Sequence, residues 1–264
     1  MKIPPMLSRI AAAGFDPTIL QGKTACIFGV GGLGAIVAEM LVRTGIGTLI
    51  LVDRDIVGPE NLNRLGYSSE DLGLPKVTAL ARKLEELAKV RGKEFPLKIE
   101  TYFNDVIAWE ELPKVITKCD IIFTCFDNLE ARLEVNYWAV KYRKPIVDGG
   151  TSENGLRGRV IVVIPKQTPC LGCYFDSDTL YSLSGDEDNE TGSCNASLPT
   201  TMAIVASFQV DQGIRILLSK SPVVSRLNIN LDDDITVTAI RDLKPRTDCK
   251  YCGDLGEEER NCRQ

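Results

Sequence analysis

Two Cys-x-x-Cys pairs, Cys170/Cys173 and Cys249/Cys252, stand in a chain with nine cysteines and no histidine. Without imidazole, neither Ser-His nor Cys-His catalysis is available, and any metal must be held by Cys, Asp or Glu. One such pair could be a redox dithiol. Two, each near a turn glycine (Gly172, Gly253), read as a tetrahedral zinc site with four cysteine ligands. The stretch between the pairs is longer than in a zinc ribbon, so the expected site staples distant segments and is structural. Cys262 is a rival to Cys252 as ligand. Cys26, Cys119 and Cys125 lie in apolar runs and read as packing residues. Cys194 differs from these. It sits in TGSCNASLPTT (191–201), among small polar residues and just ahead of a helix start near Pro199. A helix N-terminus favours a thiolate, so Cys194 reads either as a nucleophile that must be reached or as an ordinary loop cysteine.

A second constellation lies earlier in the chain. Gly29, Gly31, Gly32 and Gly34 form a G-x-G-x-x-G between an apolar run and a helical pattern. Glycines there let backbone approach a phosphate at a helix N-terminus. Asp53, ending the next apolar run, is placed for ribose hydroxyls. The plain alternative is a tight strand–helix turn with no ligand. Arg64 and Lys76 follow in a glycine- and proline-marked loop. Taken singly, each is an ordinary solvated charge. A dinucleotide brings only two phosphate charges, which the glycine loop already serves, so two further cations suit a triphosphate better than NAD. Asp127 ends the run CDIIFTCFDN, at the place where open α/β sheets bind ligands. Its carboxylate could hold Mg²⁺ or cap the helix beginning at Leu129, and Asp127 and Asn128 could divide these roles.

The elements that must position these residues are legible as periodicities. TACIFGV (24–30), TLILVDRD (48–55), CDIIFTCFDN (119–128) and PIVDGG (145–150) read as buried strands. They alternate with the helical patterns AIVAEMLVRTGIG, KVTALARKLEELAKV (76–90) and LEARLEVNYWAVKYR. LKIETYF (97–103) is a further strand with partial alternation. Past Gly150, LRGRVIVVIP (156–165) reads as a strand, PTTMAIVASFQVDQGIRILLS (199–219) as a helix, and RLNINL with ITVTAI as an antiparallel hairpin. The fold class expected is α/β, a Rossmann-like doubly wound, mostly parallel sheet extended by antiparallel strands, in one domain spanning 1–264. Residues 174–198, acidic and turn-rich, are expected to form a flexible loop that carries Cys194.

Composition narrows the partners. The net charge of −5 gives no basic field for nucleic acid. The first residues lack the apolar core of a signal peptide, and no run of about 18 apolar residues occurs. The expectation is a cytoplasmic protein with neither a nucleic-acid nor a membrane partner.

Together GVGGLG, VDRD, NLNR, Lys76, the CFDN strand end and the two cysteine pairs resemble the ThiF/MoeB/HesA superfamily, which includes the ubiquitin-activating enzymes. The six motifs occur in that family's order, from about Ser8 to Cys252. CNASLPTTMAIVAS and SENGLRGRVIVVIP are most similar to the small homodimeric branch that activates the ubiquitin-fold modifier. The resemblance implies adenylation of the C-terminal glycine of a β-grasp, ubiquitin-like protein with MgATP, then capture of the acyl group as a thioester on Cys194. It implies that the nucleotide contacts Gly32, Asp53 (at the ribose), Asn63 and Arg64 of NLNR, Lys76 (at the phosphates), Asn104 of YFND and Asn128. It places Mg²⁺ on Asp127, and Arg9 of MLSRI in the partner subunit's site of a homodimer. The second cysteine pair is spaced more tightly than in that branch. Its long C-terminal extension, which recruits a conjugating enzyme, has no counterpart in the sequence, so the route by which a thioester is handed on stays open. The rival expectations are a sulfur-carrier adenylyltransferase of the MoeB or ThiF type, an NAD-dependent oxidoreductase, and an inactive scaffold that binds a β-grasp protein.

Overall fold

The computed structural model describes residues 2–175, 198–221, 223–232 and 234–253. Cys194, Cys262 and nearly all of the 174–198 stretch lie outside the described residues. Tyr174 and Phe175 close a helix, so the expected loop begins no earlier than residue 176.

Eight strands run in chain order: β1 Thr24–Phe28, β2 Thr48–Asp53, β3 Lys98–Phe103, β4 Ile121–Thr124, β5 Ile146–Thr151, β6 Arg157–Val163, β7 Arg226–Asn230 and β8 Thr236–Ile240. They make one sheet in the order β3-β2-β1-β4-β5-β6-β7-β8. The first five are mutually parallel, and β6, β7 and β8 continue the sheet antiparallel. The hairpin expected from RLNINL and ITVTAI is β7–β8. The chain leaves β1 for β2 on one side and returns as β4 on the other. That reversal opens a crevice at the carboxyl ends of β1 and β4, where ligands bind in such sheets.

The helices are α1 Pro5–Ala12, α2 Pro17–Gln21, α3 Gly32–Thr44, α4 Lys76–Ala88, α5 Leu112–Lys118, α6 Leu129–Lys141, α7 Leu171–Phe175 and α8 Pro199–Leu217. They cover both faces of the sheet. Along β1, Ala25 and Ile27 pack with α3, α4 and α8, while Cys26 and Phe28 pack with α5, α6 and α7. Burial on both faces makes β1, β2 and β4 read as apolar runs, whereas β3, at the sheet edge, is partly exposed and alternates. β1 stops at Phe28 because Gly29 takes a φ of 82° and turns the chain toward α3. Among the described residues, no helix is long and apolar enough to cross a membrane.

Candidate active site

The crevice is a cleft of about 270 Å³, near the low end for small-molecule sites. Its wall is built from backbone first. A Cβ on Gly29 would lie 2.8 Å from Cys125 O, and one on Gly34 would lie 1.9 Å from Gly29 O. The first glycine therefore permits the turn, and Gly34 lets α3 sit directly on it. Gly31 is the N-cap of α3, so the first-turn amides of the helix open toward the cleft. A Cβ on Gly32 would lie 2.6 Å from Met202 Sδ and 2.7 Å from Arg64 Cδ, so the Arg64 stem rests on that glycine.

Asp53 is nearly buried at the end of β2. Its Oδ2 accepts from Val30 N at 2.7 Å and its Oδ1 from Asp55 N at 2.8 Å. Burial pushes its carboxyl up, against the pull of Lys76 and these two amides. Tyr67 ties the same loop from behind: its hydroxyl donates to Val30 O at 2.5 Å. Lys76 Nζ, buried at the start of α4, lies 2.8 Å from Asp55 Oδ2. The Lys76 amide also donates to Asp55 O at 2.9 Å. Arg54 faces Asp105 across the rim at 2.5 Å.

On the opposite wall, Asn128 is the N-cap of α6, its Oδ1 accepting from Ala131 N at 2.9 Å. Asp127 is therefore not the cap, and its carboxylate is exposed on the cleft. One turn along α6, Arg132 donates to Asp148, Gly149 O and Phe126 O. Asp148, wholly buried, also accepts from Thr124 Oγ1 at 2.6 Å. Arg132 thus fixes the turn that carries Asp127. A further turn along, Asn136 Oδ1 accepts from Leu171 N at 2.9 Å, next to Cys170.

Gly29, Gly31, Gly32, Asp53, Arg64, Lys76, Asn104, Asp127 and Asn128 all line this cleft. Gly34 stands behind it as packing. Asn63 and Arg9 do not line it. Asn63 is exposed and accepts from Arg64 Nε at 3.2 Å, and Arg9 is exposed on α1. Cys125 packs against the core as expected and also lines the cleft, with Sγ 3.7 Å from Gln209 Oε1. Burial pushes its thiol up to about 12, which keeps it protonated at neutral pH and a poor nucleophile. Asp55, Arg54, Asp105 and Arg132 were not foreseen. Their partners lie far off in sequence, and only Arg54 and Asp55, which follow Asp53 in VDRD, carried a local hint.

The four cysteines of the two pairs converge. Their Sγ atoms lie within 4.8 Å of one another. Cys170–Cys249 is 3.7 Å, Cys170–Cys173 is 4.0 Å and Cys173–Cys252 is 3.4 Å. Tetrahedral Zn–S bonds of about 2.3 Å place sulfurs about 3.8 Å apart, whereas a disulfide needs about 2.05 Å. The set fits a tetrahedral thiolate-bound metal ion and not a pair of disulfides. It closes on itself and offers no open coordination position.

A family model described as "ThiF family" matches residues 12–252. The chain is 34% identical over 248 residues to ubiquitin-like modifier-activating enzyme 5 of Branchiostoma floridae, covering 90% of this chain and 60% of that protein. It is 34% identical over 245 residues to the protein of the same name from Caenorhabditis elegans, covering 89% and 56%. The chain therefore spans less than two thirds of the length of the curated relatives it matches. Its fold superposes on Escherichia coli MccB solved with ATP at a TM-score of 0.77 and 21% identity, covering 94% of this chain and 74% of that one.

Proposed function

The chain belongs to the ThiF family, and from that premise we propose that it is an ATP-dependent activating enzyme for a ubiquitin-like, β-grasp protein. The observation that carries this reading is one cleft that joins a glycine turn, two cations and an exposed carboxylate: Gly29–Gly32, Arg64, Lys76 and Asp127. The names of the relatives and the ATP in the MccB structure support it. In this reading 1–264 is one adenylation domain and the 174–198 stretch carries the acceptor thiol. The working form is a cytoplasmic homodimer in which Arg9 acts in trans, and Asn63 holds Arg64 at the phosphates.

The missing histidine is no obstacle. A protein C-terminal carboxylate has a pKa of about 3.5, so it is already an anionic nucleophile at neutral pH. Its oxygen forms a bond to the α-phosphorus of ATP while the α–β anhydride bond breaks, and pyrophosphate leaves with the bonding pair. What the chain must supply is orientation and neutralised phosphate charge. Gly31 and Gly32 present helix amides, and Arg64 and Lys76 hold oxygens of the leaving pyrophosphate. Asp53, with its carboxylate fixed by two amides, receives the ribose. Asn104 and Asn128 contact the nucleotide from the rim. Asp127 would hold Mg²⁺, which when bound neutralises phosphate charge.

The thiolate of Cys194 then attacks the acyl carbon, and AMP departs with the electron pair of its bond to carbon. Cys194 is favoured by its polar surroundings in sequence and because Cys125 is protonated in the cleft. A conjugating enzyme would accept the acyl group by a second thiol exchange. The four-cysteine site would hold zinc in a structural role.

The test is pyrophosphate exchange into ATP, stimulated by a β-grasp protein ending in glycine, followed by a non-reducing gel. A reducible adduct that disappears in Cys194→Ala is expected. Exchange without any adduct would move the assignment to a sulfur-carrier adenylyltransferase. Thermal protection by NAD but not by MgATP would remove it from adenylation altogether.

A further inference from the structure

Lys76 is held by an ion pair, 2.8 Å from Asp55 Oδ2, but Arg64 is held differently. Among the described residues its guanidinium makes one side-chain hydrogen bond, Nε to Asn63 Oδ1 at 3.2 Å, and that partner is an exposed neighbour in sequence. What fixes the Arg64 stem is packing. Gly66, two residues on, lies against α3, where a Cβ would stand 2.5 Å from Ala35 Cβ. The loop therefore rides on the first turns of the helix, and Arg64 falls over Gly32 at the helix start. A Cβ on Gly32 would meet two side chains at once: Arg64, at 2.7 Å from Cδ and 3.1 Å from Cβ, and Met202, at 2.6 Å from Sδ. Arginine stem and thioether thus sit side by side in the space that the glycine leaves open. Met202 is brought there by a fixed element. It is buried, packs in the core with α3 and lines the cleft. The preceding residue, Thr201, is wholly buried, and its hydroxyl donates to Gly155 O at 2.6 Å, which ties the first turn of α8 to the turn between β5 and β6. Two turns further along, Gln209 donates to Val147 O at 3.0 Å and to Thr124 O at 3.3 Å, so α8 is pinned to the sheet beneath the cleft.

We propose that Met202 is a positioning residue for the nucleotide: its thioether walls the Arg64 stem on Gly32 and holds the guanidinium toward the β- and γ-phosphates. The proposal rests on the adenylation reading above, which puts Arg64 at those phosphates. An arginine whose methylenes nothing brackets keeps many rotamers, and these must be given up when the guanidinium meets a phosphate oxygen. Apolar packing of the stem removes those rotamers beforehand and leaves the charged head in the polar cleft. A thioether suits the task, because it is unbranched and polarisable and fills the irregular gap between a glycine backbone and the stem. The α-phosphate, set against the glycine turn, lies outside this effect. AMP should therefore be indifferent to Met202, and ATP should not.

The experiment titrates the full chain with MgATP and with AMP by isothermal calorimetry. Met202→Ala should weaken MgATP about 3- to 10-fold, the cost of ordering one rotamer-rich side chain on binding, and leave AMP within about twofold. Unchanged AMP binding also shows that the variant is folded. Met202→Leu, of similar volume, should recover most of the loss. The effect of Met202→Ala should vanish in an Arg64→Gln background and persist in Lys76→Met. If Met202→Ala does not fold, Met202→Val, which keeps a core side chain but not the reach, takes its place with the same expected outcomes. Unchanged MgATP binding, an equal loss for ATP and AMP, or an effect that survives Arg64→Gln overturns the proposal. Pyrophosphate exchange by wild type, measured separately, tests the adenylation reading. Exchange with an unaltered ATP-to-AMP ratio in Met202→Ala rejects Met202 and keeps the enzyme, whereas a loss confined to ATP without exchange keeps Met202 and rejects the enzyme.

Discussion

Lys76 Nζ lies 2.8 Å from Asp55 Oδ2, and its amide donates to Asp55 O at 2.9 Å. The same aspartate thus grips the lysine at both ends and holds the ammonium at the cleft. Such preorganisation is where electrostatic catalysis gains most.

Lys76→Met should lower kcat/KM for pyrophosphate exchange by about 10- to 150-fold, matching about 1.5–3 kcal/mol for one charge-assisted contact. Asp55→Asn should cost less, because it removes the aim and leaves the charge. If Asp55 acts through Lys76, its effect should vanish in the Lys76→Met background, a double-mutant cycle on exchange rates. Additive losses would separate the two residues.

Two glycines of one loop should behave oppositely. Gly34→Ala places a Cβ 1.9 Å from Gly29 O, where both groups belong to backbone. The strand–helix turn would have to shift, and a loss of about 3 kcal/mol or more is expected in urea unfolding. Gly31→Ala meets nothing within 4 Å. Its cost should stay within about 1 kcal/mol, the N-cap preference alone.

Purified protein should carry about one zinc per chain by elemental mass spectrometry. Cys170→Ser and Cys252→Ser should lose it, and Cys262→Ser should keep it. Loss of even about 3 kcal/mol of metal-linked stability lowers the thermal midpoint by about 6–12 °C in a chain of this size. A metal-free protein with an unchanged midpoint on chelation would show that the thiols alone suffice.

Tyr67 supplies an alkaline signature. Burial, with the nearby Asp53, Asp71 and Asp55 charges adding to it, holds its phenol far above the usual range. The folded state therefore keeps a proton that the unfolded chain releases near pH 10. The stability it brings is intact below about pH 10 and drains as pH rises further, at about 1.4 kcal/mol per unit. Tyr67→Phe should remove that part of the slope. At neutral pH it should cost about 1–3 kcal/mol, because Val30 O loses its buried donor. Urea midpoints of both proteins at pH 8 and 11 check the sign.

How much of this was readable beforehand depended on whether the interaction was local. Strands β1, β2 and β4 were legible because burial on both faces makes each a largely apolar run, whereas β5 shows only Ile146 and Val147 before Asp148 and two glycines. The glycine loop, Asp53, Lys76 and the cysteine pairs were legible because a short spacing defines each. Arg132 and Asp148 were not, since a buried ion pair across α6 and β5 leaves no periodic trace. Whether Asp127 or Asn128 caps α6 depends on the backbone turn after β4, which composition does not specify. The short α7 has only Leu171–Phe175 to announce it and is held by the sulfur cluster around it. Cross-strand neighbours needed register: Arg159 and Asn228 meet only once β6 and β7 are paired.

Asn128, Arg132 and Asn136 follow one another at four-residue intervals along α6, and they touch respectively the helix's own first turn, the turn bearing Asp127, and the backbone beside Cys170. A single rod about 12 Å long therefore joins the nucleotide crevice to the sulfur cluster. In the proposed reading, any coupling along this rod is mutual: the factor by which a metal at the sulfur cluster changed the hold on ATP would be the factor by which ATP changed the hold on that metal.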